Sequence, residues 1–170
     1  MYKISNIKLS CKLQEISLHT VENICKTYNI NTKQYNNFIV IKTFYTFIIF
    51  KKGNKTTNHL NITKIPNLSE IFFALIYIQN LLETKILTYV IDNITATYQI
   101  KNVNFDETLK NLKNSTCNIQ YNNDVFPGIF IKLKTGTGIL FHSGKIVLIG
   151  CKSIYHLECL MELINAHIKI

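Results

Sequence analysis

Residues 121–152, YNNDVFPGIFIKLKTGTGILFHSGKIVLIGCK, decide the fold. Apolar residues recur there on strand spacing, drawn mostly from Val, Ile and Phe, with Gly/Thr and Ser-Gly punctuation between them. The stretch reads as strand, turn, strand, turn, strand. Phe126 opens the first strand just ahead of Pro127-Gly128, and Phe141 closes the second. A strand residue at the rim of a turn is badly placed to fill a core, so two large aromatics there want a partner.

The elements upstream repeat that order. Residues 2–10 alternate as a half-buried strand, and 15–28 place Ile16, Val21, Ile24 and Cys25 near one helix face. A polar loop (NINTKQYNN) leads to strands at 38–42 and 45–51, the basic turn KKGNK, and a strand near 57–62. Ser69 is placed to cap an apolar helix reaching about residue 85. A strand over 89–101, a helix over 105–113, a loop, the opening stretch and a final helix capped by Ser153 complete the chain. A shift of 91 residues lays Tyr35 on Phe126, Phe50 on Phe141 and Gly53 on Gly144. The chain is read as two copies of one α+β unit, residues 1–86 and 87–170, intimately fused.

Composition bounds the partners. Apolar residues make up 47% of the 170 and charged residues 17%, enough for a sizeable core and too apolar for global disorder. No signal peptide or span of roughly 20 apolar residues is visible, which predicts a soluble intracellular protein. Five cysteines without CxxC spacing read as buried, reduced thiols, and the five scattered histidines add no zinc site. The net charge of +9 points to an anionic partner, with 11 Lys against 4 acids in residues 1–86. All 19 basic residues are lysine, so no guanidinium fork is present to read guanine or clamp phosphate. Gly136 and Gly138 lack the GK[ST] of a phosphate loop and read as a hairpin turn. No Ser-His-Asp, paired-carboxylate or Cys-His arrangement supports catalysis, so an enzyme is not expected.

The run FPG…SGK…IVL…GCK resembles the second repeat of the TATA-box-binding protein family. DNITATYQIK is similar to that repeat's opening strand, and ISNIKLSCKL to the first repeat's. The resemblance implies an α+β saddle: two tandem pseudo-symmetric repeats, a curved antiparallel sheet of about ten strands, and helices on the convex face. It implies binding to A·T-rich promoter DNA in the minor groove, where apolar wedges enter base steps and kink the duplex by roughly 80°. Phe126 and Phe141 fall on the family's wedge pair in the second repeat, Tyr35 and Phe50 on the pair in the first. Thr46 and Ile48, with Thr137 and Ile139, fall on the groove floor. An apolar floor suits A·T pairs because a guanine amino group would be buried there unpartnered.

The family's paired central asparagines map to Asn93 and Tyr2, and the neighbouring groove positions to Ile4 and Thr95. The fifth-strand pair maps to Val147 and Ile149 in the second repeat and to His59 and Asn61 in the first. Lys132, Lys145 and Lys42 take phosphate-contacting positions. The loop before FPG, with Tyr121 and Asp124, maps to the surface that binds a IIB-like initiation factor, and the RNA polymerase machinery follows from it. No cofactor, metal or membrane is implied. The expected setting is the nucleus, or a cytoplasmic viral factory, since the Lys/Asn/Ile-rich composition fits a parasite or a large DNA virus. The alternative is a protein-interaction module on the same fold that has lost sequence-specific DNA binding, a reading favoured by polar Tyr2, His59 and Asn61.

Overall fold

The alternation of Ile7, Leu9, Cys11 and Leu13 drives one long strand, β1 (Lys3–Ser17), in the computed structural model, which describes residues 1–52 and 56–170. The strand outlasts the expected 2–10, and the expected helix over 15–28 is shortened to α1 (Leu18–Thr27). Two forces extend the strand. Ser10 through Ser17 ladder onto β5 (Thr56–Ile65), and Ser17, extended, accepts the Thr20 N–H at 3.0 Å and so starts the helix one turn late. Between them lie β2 (Thr32–Gln34), β3 (Phe38–Lys42) and β4 (Thr46–Lys52). Gly53 and Lys55 of the expected basic turn lie outside the described residues.

Ile39, Ile41, Phe47, Ile49, Leu60 and Ile62 line one side of β3–β5 and are fully buried. Each such side chain contributes about 1.5–3 kcal/mol of transfer free energy. They pack beneath α2 (Glu70–Leu82), which turns Ile71, Ala74, Ile78 and Leu82 inward against β5. The expected Ser69 cap is replaced: Asn67 Oδ1 accepts the Glu70 N–H at 3.1 Å, while Ser69 is already helical and donates to the same oxygen. Asn67 sits one residue past Pro66, the earliest place where a short polar side chain reaches that donor.

The second half repeats the plan with β6 (Ile86–Gln99), α3 (Phe105–Lys113), β7 (Asn118–Asn122), β8 (Phe126–Leu133), β9 (Gly136–Phe141), β10 (Lys145–Cys151) and α4 (Ile154–His167). Ser153 caps α4 by accepting the His156 N–H at 3.1 Å, and Asn104 caps α3 through the Glu107 N–H. The Ser-Gly turn needs its glycine: Gly144 has φ +75°, and a Cβ there would stand 2.1 Å from the Ile100 carbonyl oxygen. Helix α4 lies on β9 and β10, above buried Leu140, Ile146 and Leu148.

The ten strands run in the order β2-β3-β4-β5-β1-β6-β10-β9-β8-β7, as an antiparallel α+β sheet with four helices among the described residues. Two of these strands differ from the local sequence reading, which leaves 29–37 and 114–120 as loops. Strands β2 and β7 are the two ends of that order, each paired on one side only; TKQ has no apolar residue, and NIQYN has only half-buried Ile119 and Tyr121 on one face. The chain forms two compact units, one of Asn6–Asp92 and one of Met1–Ser5 with Asn93–Ile170. No helix among the described residues is long and apolar enough to cross a membrane.

Candidate nucleic-acid interface

In the second repeat, strand period two sorts side chains cleanly between the helix-covered face and the opposite, open one. On β9, Gly138 and Leu140 go under α4, while Thr137, Ile139 and Phe141 share the open face. On β10, Ile146 and Leu148 go under, leaving Lys145, Val147 and Ile149 open. On β6, Ile94 and Ala96 go under, leaving Asn93, Thr95 and Thr97. The ladders make these positions contiguous, with Val147 opposite both Ile139 and Thr97, and Ile149 opposite Thr137. The result is a floor of methyl groups and threonines three strands wide.

Its aromatic rim is held by an empty position. Gly128 pairs with Phe141, and a Cβ on Gly128 would lie 2.8 Å from Phe126 Cε1 and 2.9 Å from Ile139 Cγ2. The ring of Phe126 therefore rests over the glycine, with its centroid 5.7 Å from Phe141 and 4.9 Å from Phe130. Phe130 was not singled out by sequence, although it alternates with buried Ile129 and Ile131 and so belongs to the same face. Lys132, also open, donates from Nζ to Gln120 Oε1 at 2.8 Å, and Lys145 is exposed at the start of β10.

Asn93 is held rigidly. Its Oδ1 accepts the Gly150 N–H at 2.5 Å, which fixes the amide orientation, and its Nδ2 donates to Thr95 Oγ1 at 3.0 Å. One Nδ2 hydrogen remains for an outside acceptor. Half-buried Ile4 is followed by Ser5, whose hydroxyl donates to the Thr95 carbonyl. Tyr2, at the other central-asparagine position, turns to α4 instead. Burial first and then the Glu158 carboxylate raise its pKa.

The first repeat is built differently. Thr46, Ile48 and Phe50 share the open face of β4, and Phe38, Val40 and exposed Lys42 that of β3. Here Phe38 pairs with Phe50, the place that Gly128 takes against Phe141. Tyr35 stacks on Phe38 at 4.5 Å, Phe38 tilts against Phe50 at 6.3 Å, and Phe50 against His59 at 5.5 Å. The first-repeat rim is thus a row of rings in which Phe38 stands between the two expected wedges. A shift of 91 hides it, because strand pairing sets Phe38, not Asn37, level with the FPG glycine.

The floor beside that row is polar. Asn61 lies opposite Ile48 on one side and Ser10 on the other. Ser10 Oγ is 2.9 Å from Asn61 Oδ1 and also contacts Asp92, which pairs with Lys8 Nζ at 3.3 Å. Asn6 Oδ1 accepts from Thr63 Oγ1 and the Lys64 N–H. Where the second repeat has Val147 and Ile149, the first has exposed His59 and buried Asn61.

The end of β7 and the turn before β8 carry the expected partner residues. Tyr121 is half-buried, its hydroxyl 3.3 Å from His142 Nε2 and its ring edge-on to Phe105. Asp124 is exposed and donates its N–H to Asn122 Oδ1, next to Val125, which is 80% exposed. The deep thiols serve packing: burial, with Asp92 second, pushes Cys11 up to about 12, and burial raises Cys25 and Cys151.

Residues 88–169 match the family model described as transcription factor TFIID (or TATA-binding protein, TBP). No curated protein matches the chain. Among solved structures, Methanococcus jannaschii TBP superposes with a TM-score of 0.72 at 19% identity, over 98% of this chain and 97% of that one, which is a likeness of fold. A structure of A. aeolicus tRNASec with M. kandleri SerRS aligns at a TM-score of 0.41 and 8% identity, over 98% of this chain and 30% of that one, and carries no argument. Residues 88–169 thus match the TATA-binding-protein family in sequence, and the chain shares that fold over nearly its whole length; the family is one of transcription factors rather than enzymes.

Proposed function

We propose that the chain binds A·T-rich promoter DNA in the minor groove through the open sheet face, kinks it with aromatic wedges and recruits a IIB-like factor and RNA polymerase. The observation that carries this is the second-repeat face: a methyl-and-threonine floor ending in rings seated over Gly128. Such a floor turns mostly methyl groups toward the groove, so that a guanine amino group would be poorly paired there, and its rings stand at the rim where a base step would open. Lys132 and Lys145 supply point charges for phosphate, and Asn93 one directed donor for a groove acceptor. Tyr121 and Asp124 are the positions proposed to meet the initiation factor.

A fluorescence bending assay on A·T-rich duplexes tests this. The wild-type chain is expected to bend the duplex and to lose affinity steeply with salt, as a lysine–phosphate interface must. Phe126→Ala with Phe141→Ala is expected to abolish the bend while circular dichroism stays unchanged. Absent or salt-insensitive binding would favour the second reading, a protein-interaction module, to which the polar first-repeat floor lends support.

A further inference from the structure

Ser10 has one hydroxyl proton and two acceptors in reach, Asn61 Oδ1 and Asp92 Oδ2. A hydrogen bond to a carboxylate is about twice as strong as one to a neutral amide, so the proton goes to Asp92. Ser10 Oγ is then an acceptor toward Asn61. Amide oxygen and nitrogen are interchangeable by a flip, and the network decides between them. The consistent relay runs Asn61 Nδ2–H to Ser10 Oγ, then Ser10 O–H to Asp92, with Lys8 pairing the carboxylate. That relay turns Asn61 Oδ1 away from Ser10. Asn61 has no other hydrogen bond among the described residues, and it is only 9% exposed, on the open face opposite Ile48.

We propose that Asn61, oriented by Ser10 and Asp92, presents an acceptor that receives a guanine amino group, so that the DNA half-site under the first repeat takes a G·C pair while the half under the second takes only A·T. The inference rests on the DNA-binding reading above. Its chemistry is that of the minor groove, where A·T pairs show acceptors alone and guanine N2 is the one donor. An amide oxygen held toward A·T acceptors would stay unpaired, whereas a guanine amino group satisfies it. Asn93 in the second repeat is the opposite case, with its oxygen fixed on Gly150 and its nitrogen left to donate. Asp92 is a positioning residue here and Asn61 the contact.

Competition titrations with the full chain test this, using A·T-rich duplexes into which one G·C pair is walked position by position. A parallel set carries I·C, which lacks the amino group. In one half of the site G·C should bind about fivefold to a hundredfold tighter than I·C, and in the other half more weakly. Asn61→Val should erase the preference. Asp92→Ala should invert it, because the Ser10 proton returns to Asn61 Oδ1 and the amide nitrogen faces out, a change that mere loss of stability does not produce. An equal guanine penalty in both halves, with A·T duplex still bound, overturns the inference and leaves the DNA reading intact. Failure to bind any duplex overturns both.

Discussion

Opposite their helices the two repeats show different chemistry, although beneath the helices they follow one plan. The second repeat offers methyl groups, threonines and a ring resting over a glycine. The first offers a serine–asparagine–aspartate–lysine network and a row of stacked rings. The buried faces of β3–β5 and β8–β10 are alike in their Ile and Leu alternation. Folding constrains only the covered face, since a bare face costs little whether apolar or polar. Divergence between copies therefore collects on the open side, which packing leaves free.

The covered faces differ at one level, and that gives the largest expected effect. Phe47 and Gly138 are 91 residues apart and occupy the same strand position. Phe47 is fully buried and its ring stacks on Tyr77 of α2 at 5.8 Å, so the helix is propped on an aromatic pair. Helix α4 instead settles directly on Gly138, where a Cβ would meet Ile164 Cδ1 at 2.2 Å. Phe47→Ala should cost about 3–5 kcal/mol in urea unfolding. Gly138→Ala should cost about 1–3 kcal/mol by overpacking, and Ile164→Val in the same chain should recover most of it. Equal losses, or no rescue, would break the contrast between a propped helix and a seated one.

Sequence alone reached the second repeat's floor because three apolar strands with tight turns leave a period-two record, and Thr137, Ile139 and Phe141 sit where that record puts them. It missed β2, which has no apolar residue, and β7, whose alternation rests on Ile119 and Tyr121 alone, because edge strands this short carry too little record. It stopped β1 early although Cys11 and Leu13 carry the alternation on, and only the end of the strand, Ile16 and Ser17, rests on pairing with Thr57 and Thr56 of β5. Phe38 stayed hidden behind a one-residue slip between sequence offset and strand pairing. Asp92 had no local signal, since it matters through Ser10 and Lys8, more than eighty residues away.

The ring row separates the copies at the next scale. If Phe38 fills the first-repeat rim, Phe38→Ala should weaken A·T-duplex binding about tenfold to a hundredfold, the worth of one aromatic–base stack of about 1–3 kcal/mol. Tyr35, 47% exposed on the outside of the row, should change it less than about threefold when replaced by Ala, since it acts through Phe38. The reverse ranking in an anisotropy titration would return the wedge to Tyr35.

The smallest effect concerns one hydroxyl. Thr46 is 8% exposed and its Oγ1 has no hydrogen-bond partner among the described residues, whereas Thr137, its counterpart on β9, is half-buried. A buried hydroxyl without a partner has lost water and gained nothing, so Thr46→Val should stabilise the chain by about 1 kcal/mol. Thr137→Val should fall within about 0.5 kcal/mol of zero. Urea midpoints at constant slope read both. The DNA titration then divides the meaning of the first result. Greater stability with unchanged affinity marks Thr46 as a plain packing defect of a drifted repeat. Greater stability with weaker binding means that the hydroxyl is kept unpaired for a groove acceptor, and that the first repeat still reads DNA with the position its partner repeat leaves to a solvated threonine.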